Sequence, residues 1–221
     1  MQHCLVIAAT AIEISPLLKK LKEDTTFQPA YNLDVLITGI GLTATTYHLT
    51  RYLSLKRPDL IIQAGVGGCF NRDIPLGSVL AVKKEALADQ SVIELNQLKT
   101  LFDLKLVPEN QHPFHKGWLV NRGDLLKQVR LKKVTGISVN EITTARSKVK
   151  FYEEHFSPVV ESMEGAALHY VALMEQIPFL QLRAVSNYIA ERNKSRWNMK
   201  ESIANLNHEL LKLLTTLKQP A

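Results

Sequence analysis

The stretch 161-ESMEGAALHYVALMEQIPFLQLRAVSNYIAERN-193 decides the fold class. Ala166, Ala167, Tyr170, Val171 and Met174 recur at helical spacing. Pro178 to Val185 is a short apolar run with β-branched and aromatic members, stopping at the polar pair Ser186-Asn187, and it reads as a strand. A strand end, a helix and a second strand in that order predict a βαβ-like unit within an α/β protein. In open sheets of this class ligands gather at the carboxyl ends of strands, so Met163-Glu164 and Ser186-Asn187 are expected to open onto one crevice.

Upstream, Pro158 to Met163 leads into this unit, Lys133 to Asn140 reads as a strand, and the charged segment Arg146 to His155 as a solvated helix. Ile142 suits either the core or a ligand pocket. From Leu95 to Arg130 the pattern is irregular, and His112 and His115 lack the Cys or Glu-x-x-His companions of a metal site, so no metal is expected. Gly77 to Val82 reads as a strand. Asp59 to Ala64 is a buried strand running into Gly65-Val66-Gly67-Gly68, where three glycines in four residues mark either a plain turn or something packed against the main chain. Asp34 to Thr38 is a strand, and Gly39-Ile40-Gly41 then permits a tight turn and close approach of N–H groups to a polar or anionic ligand before a helix over Thr43 to Leu55.

The first strand is Cys4 to Ala9, followed by Glu13 and the helical run LLKKLKE. Thr10 and Glu13 have capping-box spacing, which would make Glu13 a helix cap. Ser15-Pro16 offers a competing helix start that leaves Glu13 in the loop, since Pro is comfortable at the first helical position. The chain ends in an amphipathic helix with Ile203, Leu206, Leu210, Leu213 and Leu217 on one stripe, expected to face the core.

With 221 residues, 46% of them hydrophobic and 22% charged, the chain fits one globular domain over residues 1–221 and is too apolar for disorder. The net charge of +6 is spread over the chain in short clusters, which gives little support to nucleic-acid binding and suits a small anionic ligand equally well. Cys4 and Cys69 have neither metal-site nor redox spacing and are expected to be reduced and buried. No stretch approaches the roughly 20 apolar residues of a membrane span, and no secretory signal is legible, so a cytoplasmic protein without membrane association is expected.

The motifs SMEG, RAVSN and the glycine run together resemble the nucleoside phosphorylase and nucleosidase superfamily, with residues 95–130 the weakest part of the likeness. SMEGAA with RAVSN and ERNKSRW is most similar to its branch that hydrolyses futalosine in an alternative route to menaquinone. The resemblance implies a single α/β domain with a mixed central sheet closing towards a barrel and flanked by helices. It also implies a homo-oligomer and no metal or organic cofactor. Glu13 would activate water. Met163 and Glu164 would hold the ribose, Gly65, Val66 and Gly67 would pass under ribose and base as a loop, Ile142 would line the base pocket, and Asn187 would meet the purine. The phosphorylases of the superfamily hold phosphate with an Arg and a Ser where this chain has Gln63 and Val66, and their GDP-x-R motif is missing from AATAIEIS, so water is the expected nucleophile. The futalosine tail carries a carboxylate, for which Arg192, Lys194 and Arg196 are candidates; Phe114 and His112 are candidates for tail contact from the 95–130 segment.

The residue chemistry suits these roles. A carboxylate can favour a developing oxocarbenium, a second can deprotonate water, and an amide always offers NH2 donors, whereas an Asp must be protonated to donate. Asn187 therefore favours a 6-oxopurine such as hypoxanthine over adenine. Two other readings are a methylthioadenosine/S-adenosylhomocysteine nucleosidase and a nucleoside-binding protein without catalysis.

Overall fold

The computed structural model describes residues 2–191 and 193–217. Its elements are, in order, β1 (His3–Ala8), α1 (Ser15–Glu23), β2 (Asn32–Ile37), α2 (Leu42–Leu55), β3 (Leu60–Cys69), β4 (Val79–Leu87), β5 (Ser91–Glu94), β6 (Gln97–Thr100), β7 (Phe114–His115), β8 (Trp118–Val120), α3 (Asp124–Gln128), β9 (Lys132–Ser138), α4 (Arg146–Phe156), β10 (Val160–Ser162), α5 (Gly165–Met174), β11 (Phe179–Tyr188) and α6 (Met199–Thr216).

The main sheet runs β2-β1-β3-β10-β9-β4-β8-β7, and β11 pairs with both β3 and β4. This double pairing joins β3, β10, β9, β4 and β11 into a closed five-stranded barrel, so the mixed sheet expected from the sequence closes and its central strands have no free edge. β1 lies parallel to β2 and β3, and β11 parallel to β3.

Side chains of β1 alternate between two cores, as the twofold period of a strand requires. Cys4, Val6 and Ala8 pack with Ile62, Leu182, the α6 leucines 206, 210, 213 and 214 and the C-cap Leu217. Leu5 and Ile7 pack with Ile61 and with Leu168, Val171 and Ala172 of α5. The sheet is thus covered on both faces, which explains why its strands read as continuous apolar runs. The stripe of α6 faces the core as its periodicity indicates, with Ile203 at its half-buried margin.

Four segments depart from the sequence reading. The glycines 65, 67 and 68 are no loop or turn: β3 continues through them to Cys69, paired with β11 on one side and β10 on the other. They are glycines because neighbouring main-chain and side-chain atoms crowd them. A Cβ at Gly67 would lie 2.8 Å from the Glu161 carbonyl oxygen, and one at Gly68 2.6 Å from Ile189 Cδ1. Likewise β11 continues past Val185 to Tyr188, with a bulge between Val185 and Asn187. In α5 the buried surface extends round the helix, from Gly165 through His169 to Ala172, while Tyr170 and Met174 of the expected stripe are partly exposed. α4 is not wholly solvated, because Tyr152 and Phe156 are buried with Ile137 and Val139.

Candidate active site

A cavity of about 380 Å³ opens where β3, β10 and β11 end and the chain leaves β1. Glu13, Val66, Gly67, Ile142, Met163, Glu164 and Asn187 all line it, so seven of the thirteen candidate residues named from the sequence share one cavity. Gly65 lies behind the wall: a Cβ there would stand 2.5 Å from Arg183 Nη1 and 3.1 Å from Glu13 Oε1. Arg196 is outside the lining, exposed and paired with Glu191 at 3.0 Å, and Lys194 is exposed beside it. Arg192 lies outside the described residues. His112 and Phe114 line a separate cavity against α2 and α5, about 1010 Å³, with no acidic residue in its described lining.

Glu13 is 7% exposed and sits one residue before the N-cap Ile14 of α1. The helix starts at Ser15-Pro16, the second of the two alternatives, yet the Thr10–Glu13 bond of a capping box also forms. Glu13 Oε2 accepts from Thr10 N at 2.9 Å and Thr10 Oγ1 at 3.0 Å, and Oε1 accepts from Val66 N at 3.1 Å. These three donors fix the carboxylate plane against the end of β3. Oε2 is filled by its two donors, whereas Oε1 keeps one of its two lone-pair sites for a further donor such as a water.

Glu164 occupies the N-cap position of α5, where the helix dipole favours an anion. Its Oε1 accepts from Gly41 N at 3.2 Å, and Arg183 Nη1 donates to its Oε2 at 3.2 Å. The Gly39-Ile40-Gly41 turn does bring an N–H to an anion, and that anion is the protein's own Glu164. Gly39 and Gly41 have φ of +81° and +93°, a backbone that side-chain-bearing residues rarely adopt.

Arg183, which sequence reasoning passed over although it opens RAVSN, is 1% exposed. Besides Glu164 it donates to Gln63 Oε1 at 3.1 Å and to the Val66 carbonyl at 3.3 Å. Gln63 therefore serves the Arg183–Glu164 pair from beneath the cavity. The available signal was an Arg at an inward-facing position of an otherwise apolar strand, which must be paired when buried.

Asn187 is half buried; its Oδ1 accepts from Ser186 Oγ at 2.9 Å and its Nδ2 donates to the Tyr188 carbonyl at 3.1 Å. One Nδ2 proton and one Oδ1 lone pair stay available to a ligand. The rim is apolar: Ile12, Ile40 and Ile142 are 69%, 62% and 47% exposed, which makes them cavity edge and not core. Ile12 and Ile40 were not foreseen. Trp197 closes one side and donates from Nε1 to the Glu191 carbonyl at 3.0 Å, which ties the segment after β11 across the opening.

A second polar layer lies behind Glu164. Glu85 is fully buried, accepting from Gln181 Nε2 at 2.8 Å and Ser138 Oγ at 3.2 Å. Burial pushes its carboxyl up to about 7 against the lowering effect of those bonds and of Arg183. A Cβ at Gly165 would collide with the Glu85 carboxylate and the Gln181 amide, so the glycine of the MEG motif makes room for this layer. His169 Nδ1 faces the Leu119 carbonyl at 3.1 Å, and burial holds its imidazole down at about 4. In the cavity wall Glu161 accepts from Thr143 N at 3.1 Å, and burial raises its carboxyl too.

The described lining holds four glutamates, Glu13, Glu161, Glu164 and Glu191, and no Lys, Arg or His. Arg183 is spent on Glu164. Such a wall repels a phosphate dianion and favours a ligand that turns cationic as it reacts.

Among known proteins, the chain is 29% identical over 190 residues to futalosine hydrolase of Streptomyces coelicolor, covering 84% of this chain and 80% of that one. It is 25% identical over 188 residues to 5′-methylthioadenosine/S-adenosylhomocysteine nucleosidase of Buchnera aphidicola subsp. Schizaphis graminum, covering 81% and 77%. The solved 5′-methylthioadenosine/S-adenosylhomocysteine nucleosidase of Campylobacter jejuni shares the fold, with a TM-score of 0.77 at 20% identity over 98% of this chain and all of that one (100%). The family model of the phosphorylase superfamily matches residues 6–218, and the chain belongs to that superfamily.

Proposed function

We propose that this protein is a nucleosidase that hydrolyses the N-glycosidic bond of futalosine, releasing hypoxanthine and the dehypoxanthinyl sugar, a step towards menaquinone. The observation that carries this reading is the combination of two fixed carboxylates, a neutral amide and no cation in the described lining of one cavity. Glu13 takes a proton from water as it attacks the anomeric carbon, Glu164 holds the ribose hydroxyls and stabilises the oxocarbenium, and Met163 packs on the sugar. Asn187 donates to the purine as negative charge flows into it. Arg183 holds Glu164 in place through the bond at 3.2 Å. The likeness to futalosine hydrolase of S. coelicolor supports the substrate assignment. Purified protein in phosphate-free buffer should release hypoxanthine from futalosine; adenine release from methylthioadenosine exceeding it would reverse the assignment.

One observation favours a second reading, a methylthioadenosine/S-adenosylhomocysteine nucleosidase. The described lining has no cation to meet a carboxylated tail, while its isoleucine rim suits a small apolar 5′ group. Against it stands Asn187, whose amide donates without needing a proton and so matches a 6-oxopurine. The same pair of assays separates the two.

A further inference from the structure

A third cavity, about 490 Å³, lies at the opposite end of β11 from Asn187, where Asn121 Nδ2 donates to the Phe179 carbonyl at 2.7 Å. Its described lining has five cations, Lys83, Lys84, Arg122, Lys127 and Lys133, and no carboxylate. We propose that this cavity binds a small multivalent oxyanion, a ligand carrying several phosphate or carboxylate groups, at a site distinct from the one that cleaves the nucleoside.

The backbone assembles the cluster. Successive residues of a regular strand point to opposite faces. Here the pairing of β4 with β9 shifts between Val82 and Lys84, so Lys83 is the extra residue of a bulge, and both adjacent lysines line the same cavity. Bulges of this kind re-aim side chains and are built features of a sheet.

The charges are largely uncompensated. The side chains of Lys83 and Arg122 have no hydrogen-bond or ion-pair partner among the described residues. Lys84 rests on the Trp118 ring, its Nζ 3.8 Å from the centroid, and Lys133 donates to the Val129 carbonyl. Among the described residues, Lys127 alone of the five has an acidic partner, Asp124, in an exposed pair that contributes little. Burial and the neighbouring Lys83 lower the Lys84 ammonium from its ordinary range, an unfavourable arrangement that a bound anion relieves. Arg122 supplies a planar fork for bidentate contact with one oxyanion group, and the lysines meet the remaining charge.

Isothermal titration at low salt with inorganic tripolyphosphate and with citrate tests the site and tells phosphate from carboxylate ligands. The expected result is saturable binding of one anion per chain that weakens at least tenfold in Lys83→Gln/Arg122→Gln, with nucleoside hydrolysis and folding unchanged. A control variant of equal charge, Lys19→Gln/Lys150→Gln, removes lysines remote from the cavity and should bind as the parent does. Three results would overturn the proposal: no saturable binding of either anion, equal losses in the two variants, or tightest binding to single-stranded oligonucleotides with affinity rising with length.

Discussion

At one end of β11 the cavity around Asn187 has four glutamates and no cation in its described lining; at the other end the described lining of the cavity beside Phe179 has five cations and no carboxylate. Both lie on the same barrel. The overall charge of +6 describes neither, because local charge is set by which strand termini and bulges meet, not by composition. An enzyme that passes through an oxocarbenium gains from the first arrangement, and phosphorolysis would need the second at the anomeric carbon. The separation of charge is what favours water over phosphate as nucleophile.

The acidic end breaks most completely at Glu13. Glu13→Gln keeps the shape and should lower kcat by on the order of 10³-fold, the scale of a general base, with ligand affinity retained. Steady-state kinetics beside a binding titration would check it, and unchanged turnover would remove Glu13 from the chemistry.

Next in size is the pair that holds Glu164. Arg183→Met leaves a buried carboxylate without its cation and should cost about 3 to 5 kcal/mol of stability, the usual penalty for removing one partner of a buried pair. Urea denaturation measures this directly; a loss near that of an exposed pair would mean that Glu164 is solvated in ways its 5% exposure does not indicate.

The amide tests what the base end of the cavity recognises. Asn187→Asp should shift the ratio of kcat/KM for futalosine over methylthioadenosine towards methylthioadenosine by roughly ten- to a hundredfold, since a site built for one polar edge penalises the other. The variant's activity should also fall as pH rises and the Asp loses the proton it needs to donate. A ratio that does not move would reduce Asn187 to a strand residue.

Smaller effects come from the buried layer behind Glu164. The Glu85 carboxyl stands at about 7 in the fold against 4.5 in the open chain, so the native state holds the extra proton between those values and stability falls as pH rises through that window. His169 stands at about 4 against 6.5, so the unfolded chain holds the extra proton there and stability falls as pH drops. The two slopes oppose each other where the windows overlap. Glu85→Gln should therefore leave stability rising with pH across the overlap and raise it at pH 8 by on the order of 2 kcal/mol relative to the parent. Thermal melts at pH 5 and 8 read this out, and parallel shifts at both would contradict it.

The sequence shows most clearly what is local. The apolar run Cys4 to Ala8, the α6 leucine stripe and the polar residues at strand ends give the α/β class and put Glu164 and Asn187 at one crevice, and the family resemblance adds Glu13. What the sequence hides depends on partners distant along the chain. Gly65, Gly67 and Gly68 read as either a turn or a main chain with something packed against it, and the approach of Arg183, Glu161 and Ile189 decides for the second within a continuing strand. Nothing in the sequence around Glu85 marks it as buried, while the fold encloses it beneath Gly165. The bulge that turns Lys83 and Lys84 to one cavity leaves no mark in composition at all.

The most direct test of the account is the fate of the sugar. Futalosine incubated with the protein, with and without added phosphate, should give hypoxanthine at equal rates and only the free dehypoxanthinyl sugar by mass spectrometry. Formation of a sugar 1-phosphate, or turnover that requires phosphate, would contradict it.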